Sequence, residues 1–184
     1  MSDVVSGILN RIGGDGVSKI AKSLGVDDNM MSSAITAALP TILAGMAKNA
    51  SEGKVDSLSN ALDDHDPSIF DQLGSLLGGE NTDGSKILGH IFGGSRPATE
   101  QNLASRSGLD LGTVMKLLPM LAPLVMGYLS KKKKESNLDS SSLSNVLRKE
   151  TEEVEGENPG LLDSILGGDG QGSMIKDILG GLIK

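Results

Sequence analysis

Two histidines carry most of the chemical potential of this chain: His65, in the run Leu62-Asp63-Asp64-His65-Asp66, and His90, in Ile87-Leu88-Gly89-His90. Imidazole nitrogen with carboxylate oxygen is the donor set of a divalent-metal site or of an acid–base pair. His65, His90, Asp63, Asp64 and Asp66 are therefore the candidate metal ligands, with Asp83 a further carboxylate within sequence reach. Spacing alone does not bring them together. The competing reading is structural: Asp63 to Asp66 end one helix and cap the next, and His90 is packed or hydrogen-bonded between helices.

Other catalytic sets are missing. The absence of cysteine removes thiol nucleophiles, disulfides and thiolate-bound zinc together. No serine lies in a GxSxG turn, and the glycine pairs after Leu77, Phe92, Leu166 and Leu179 lack the GxxxxGK[ST] form of a phosphate loop, so they read as helix stops. No catalytic or cofactor-binding residue is assigned, no cofactor or small-molecule substrate is evident, and the balance leans away from an enzyme.

The elements that must position these residues are helical. Apolar residues make up 38% of the chain but aromatic residues only 2%, so the core is built from Leu, Ile, Val, Met and Ala, a composition suited to closely packed helices rather than strands. The 25 glycines predict short, punctuated elements. Residues 17–48 align without gaps on residues 100–131 at a shift of 83, with identities at Ala21/Ala104, Gly25/Gly108, Asp27/Asp110, Pro40/Pro123 and Lys48/Lys131. This register predicts an internal duplication. Each copy reads as a short helix ending at a glycine, an aspartate cap, and a longer helix: Val17 to Leu24, then Asp28 onward in the first, with Gly108 and Asp110 marking the same steps in the second. Pro40, Pro119 and Pro123 fall inside the long helices and are expected to kink them. Between the copies, Val55 to Leu62 forms a helix, Asp66-Pro67 starts another that runs to Leu77, Glu80 to Gly84 forms a polar loop, and Ile87 to Phe92 forms a short helix.

The spacing Ala21, Gly25, Met31 and its counterpart Ala104, Gly108, Val114 is that of a helix-turn-helix. Reading DNA also requires donors on the second helix, where the copies present Asn29, Ser32, Ser33 and Thr36, then Thr113 and Lys116. The net charge of −7 divides into −1 over residues 1–134 and −6 over residues 135–184, and neither part has the cationic surplus that phosphate neutralisation needs. Nucleic-acid binding is thus an alternative, and packing is the preferred reading.

Three regions follow: residues 1–134, a duplicated all-helical domain; residues 135–158, a charged Ser/Lys/Glu-rich linker or helix with Leu138, Leu143, Val146 and Leu147 on one face; and residues 159–184, a Gly/Leu-rich amphipathic tail, helical or partly disordered. The 13-residue apolar run Leu117 to Leu129 is shorter than the roughly 20 residues of a spanning helix and reads as core. The N-terminus lacks the features of a secretory signal, and a cytoplasmic location is expected.

The segments ALPTILAGMAKNA (38–50), LSNALDDHDPSIFDQLGSLLGG (58–79), DGSKILGHIFGG (83–94) and LLPMLAPLVMGYLSKKKK (117–134) resemble the bacterial domain of unknown function 937, related to the YidB-like proteins, over roughly residues 15–134. The resemblance implies an all-helical bacterial domain and carries no activity, substrate or cofactor with it. The expected fold is therefore all-α, a compact multi-helix domain with two helix-turn-helix-like repeats. The leading functional expectation is a non-enzymatic protein-interaction or self-assembly module, binding a protein partner or a second copy of itself. The alternatives are a metal or enzymatic site around His65 and His90, and nucleic-acid binding.

Overall fold

In a computed structural model, the structure describes residues 2–65, 67–78 and 82–157. The helices are α1 (Asp3–Leu24), α2 (Asp28–Asn49), α3 (Val55–Asp63), α4 (Leu73–Gly78), α5 (Thr82–Phe92), α6 (Arg96–Ser107), α7 (Leu111–Ser136) and α8 (Ser140–Glu157). No strand occurs among the described residues, so the fold is all-α as the residue types require.

Local signals explain the joints between helices. At the end of α1, Gly25 takes the left-handed conformation (φ 70°), and the Val26 N–H reaches back to the Ala21 carbonyl at 2.9 Å. Asp27 then accepts from the Asn29 and Met30 amides and opens α2. The α6–α7 joint has the same parts: Gly108 is left-handed (φ 73°), and Asp110 accepts from the Thr113 N–H at 3.0 Å and from its hydroxyl. Those two donors, with the Thr113 hydroxyl foremost, hold the Asp110 carboxyl below its ordinary pKa.

Several boundaries differ from the sequence expectations. The first helix begins at Asp3 rather than Val17, because the glycine pair after Ile12 bends the chain at Gly13 (φ 63°, ψ 171°) without ending it. The expected helix from Asp66-Pro67 to Leu77 is a 3₁₀ turn, Pro67–Phe70, followed by the short α4, and Asp66 itself lies outside the described residues. Thr82 to Gly84, expected in a polar loop, form the first turn of α5. The prolines leave α2 and α7 continuous, and α7 carries Lys131 to Lys134 as its last turns. Leu138 precedes α8 instead of lying on it, and Asp139 caps that helix by accepting the Ser142 N–H at 2.8 Å. The break expected at Asn158-Pro159-Gly160 and the tail lie outside the described residues.

The core forms around α2 and α7, whose middle turns are buried on every side, from Ala38 to Ala47 and from Leu117 to Gly127. The continuous stretch Asp28–Asp63, which begins with α2, and α7 are each long and apolar enough to cross a membrane by length and composition. In this fold 72% of each apolar window is covered by other helices, so both are core helices of the bundle. α8 belongs to the same core, burying Leu143, Leu147 and Val154, and it packs on α2 and α3. Its Glu150, only 3% exposed, accepts the Val4 amide of α1 at 2.9 Å, which joins the two ends of the described chain at the positive end of a helix.

α5 and α7 approach each other closely. Pro123 has no N–H to offer the Pro119 carbonyl one turn back, and Gly84 lies against that carbonyl so tightly that a Cβ on it would be 1.8 Å from the oxygen. Gly89, on the same helix, has open space around its Cα. Gly84→Ala should therefore lower stability by about 1–3 kcal/mol in urea unfolding through forced separation of α5 and α7. Gly89→Ala should raise stability by up to about 1 kcal/mol through helix propensity. Equal effects of the two would contradict the backbone contact.

The aspartate caps also predict an acid dependence. A carboxylate whose folded pKa is depressed contributes stability above its unfolded pKa, and that contribution disappears as pH falls through the folded value. The stability difference between the wild type and Asp110→Asn should thus be constant above about pH 5 and shrink on acidification below about pH 4. A difference independent of pH down to full protonation would show that the Asp110 charge plays no part in the cap.

Candidate functional site

α3 and α5 form the walls of an open cleft of about 770 Å³. α7 supplies Met126, and the end of α2 supplies Asn49. Each wall presents one helical strip. Leu58, Ala61 and His65 recur at spacings of three and four along α3 and its C-terminal extension, and Asp83, Ile87, His90 and Ile91 do the same on α5. Leu58, Ala61, Ile87, Ile91 and Met126 supply the apolar part of the lining, Ile91 and Met126 being buried, and the exposed Lys54, Asp64, Asp83 and Lys86 add charge of both signs.

Tertiary hydrogen bonds hold the walls. On the α3 side, the Ser130 hydroxyl donates to the His65 carbonyl at 2.9 Å. Lys133, with its side chain 13% exposed, donates to the Ser59 carbonyl at 2.9 Å and pairs with Asp63 at 2.7 Å. On the α5 side, the Asn49 amide donates to the His90 and Ile91 carbonyls at 3.1 and 3.0 Å, taking up acceptors that the end of a helix leaves free. Arg96 donates to the Ser85 carbonyl at 3.1 Å and pairs with the buried Glu100 at 2.7 Å. The Lys86–Asp83 pair is exposed on both sides and contributes little to stability.

The structure brings His65, His90, Asp64 and Asp83 to this one cleft. It takes Asp63 out of that set, because its carboxylate is engaged by Lys133. The His65 Nδ1–H donates to the Ala61 carbonyl at 2.7 Å. Among the described residues, no three His, Asp or Glu side chains gather in a way that could hold a metal ion.

Of the residues considered for reading DNA, Asn29, Ser32 and Ser33 are exposed on α2 and Lys116 is exposed on α7. Thr113 is buried and spends its hydroxyl on Asp110, so its role is in the cap.

Sequence reasoning missed Asn49, Lys54, Leu58, Lys86 and Met126 as lining residues. The signal for Leu58 and Lys86 was present, since each continues a three-four strip that ends in a histidine. For Met126 and Asn49 there was none, because nothing in the order of residues says that the end of α2 and the middle of α7 meet between α3 and α5.

No curated protein and no solved structure matches the chain. The family model described as bacterial protein of unknown function, DUF937, matches residues 7–132, a span that runs from the first turns of α1 through most of α7 and contains both walls of the cleft. On that match, the chain belongs to the DUF937 family of bacterial proteins.

Proposed function

We propose that this protein is a non-enzymatic interaction module and that the α3–α5 cleft is its docking surface for an amphipathic helix. The observation that supports this reading is the lining itself. The lining combines five apolar side chains, Leu58, Ala61, Ile87, Ile91 and Met126, with exposed charges of both signs, a combination that suits the apolar face of an amphipathic helix. A site for a small polar substrate needs convergent polar groups at its base. Here the buried lining residues are Ile91 and Met126, while Asn49 and the Nδ1 side of His65 are committed to backbone carbonyls. The similar build of the α1–α2 and α6–α7 joints fits an internal duplication used for packing, which yields two long core helices with the cleft on one flank.

Helical peptides selected from a display library on the full chain should carry apolar residues at i and i+4. Their binding should weaken about tenfold or more when Ala61→Trp fills the cleft or Ile87→Lys charges its lining, with helical circular dichroism unchanged. Peptides that bind both variants as well as the wild type would remove the cleft from this role.

A second reading, metal or acid–base work, draws on one observation: His65 and His90 face the same cleft. It expects zinc binding with a Kd of about 1 μM or tighter, lost in both His65→Ala and His90→Ala. Calorimetric zinc titrations that are the same for the wild type and both variants would exclude it.

A further inference from the structure

One hexapeptide occurs twice in the chain, once on a wall of the cleft and once away from it. Ser57-Leu58-Ser59-Asn60-Ala61-Leu62 of α3 returns at a shift of 85 as Ser142-Leu143-Ser144-Asn145-Val146-Leu147 of α8, with five of the six positions identical. The order of elements matches too, since α3 follows the long helix α2 as α8 follows the long helix α7. Position 61, the one that differs, lines the cleft.

The two matched segments are used differently. On α8, Leu143 and Leu147 are fully buried, and Glu150 crosses to α1 to accept the Val4 amide at 2.9 Å. On α3, Leu62 is fully buried like its match Leu147, whereas Leu58, the match of Leu143, is half-buried and lines the cleft. His65 stands where α8 has Glu150, and its Nδ1 is spent on the Ala61 carbonyl of its own segment. Between Leu58 and His65, Ala61 presents a single methyl group where Val146 presents an isopropyl group. The α3 copy thus leaves space beside it, and its side chain at the differing position is the smaller one.

We infer that Ala61 sets the size of the apolar anchor that the cleft accepts, so that the partner helix places a long side chain, Leu, Met or Phe, over it. The inference rests on the docking role proposed for the cleft. Leu58, Ile87, Ile91 and Met126, the other apolar residues of the lining, all carry longer side chains than Ala61. Close packing against such a lining requires the partner to project most where the lining projects least. Valine at this position would be a small change with a large effect, because a β-branched side chain in a helix is held to one χ1 rotamer and neither methyl can swing aside. A methylene gained or lost in an apolar pocket changes affinity about tenfold or more.

The test uses the peptides selected on the full chain, each made with Leu, Phe or Ala at its anchor position. Ala61→Val should weaken the Leu and Phe forms about tenfold and leave the Ala form within about twofold of its affinity for the wild type. Val146→Ala, the reverse exchange at the matched position of α8, should leave all three affinities unchanged, with circular dichroism and urea unfolding reporting that both variants are folded. Equal weakening of all three forms by Ala61→Val, no weakening of any, or the same losses in Val146→Ala would overturn size selection at Ala61. Each of those outcomes leaves the docking role of the cleft intact, since that role fails separately if peptide binding ignores Ala61→Trp and Ile87→Lys.

Discussion

The contact on which the remaining packing depends is backbone against backbone: Gly84 of α5 pressed onto the Pro119 carbonyl of α7. Its two halves are made by different residues. Pro123 leaves that carbonyl without its intrahelical donor, and Gly84 removes the side chain that would hold the neighbouring helix away. α5 therefore lies against α7 along its length, and the position of α5 decides where the far wall of the cleft stands. The same device recurs at lower severity where Gly45 of α2 meets Ile91 and Phe92, and where Gly7 of α1 meets Tyr128.

This reliance on glycine follows from the composition. A core with two phenylalanines, one tyrosine and no tryptophan has few large side chains to fill the space between helices, so the helices must come closer to reach native packing density. Close approach is possible only where Cβ atoms are missing or small. Glycine, costly inside an isolated helix, is here the residue that lets helices touch, and the polar side chains left at the crossings serve to register them. Ser130, Lys133, Asn49 and Arg96 all donate to backbone carbonyls of the cleft walls, which holds the walls at a fixed spacing. The cleft is thus a consequence of the packing.

The all-helical class was legible in the sequence because it needs only residue type and period: few aromatics, aliphatic residues at three-four spacing, and glycine punctuation. The joints were equally legible. Gly25 and Gly108 adopt the left-handed conformation, and Asp27 and Asp110 accept the first amides of α2 and α7, because capping is a local hydrogen-bonding problem solved within a few residues. Where local signals conflicted, the reading slipped. The first helix was expected from Val17 and runs from Asp3 through a bend at Gly13, and Thr82 to Gly84 were read as loop although contact with α7 keeps them helical.

By itself, the sequence determined the all-helical class, the caps at Asp27 and Asp110 and, having no cysteine, the absence of thiol chemistry, since each is a property of residue type or of neighbours along the chain. Only the tertiary structure decided that α8 is part of the core, that Asp63 is spent on Lys133 while Asp64, His65 and His90 share one cleft, and that five apolar side chains line this cleft. The physical reason is separation: Glu150 and Val4, Ser130 and His65, and Gly84 and Pro119 meet across tens to more than a hundred residues, and no local periodicity records such a meeting.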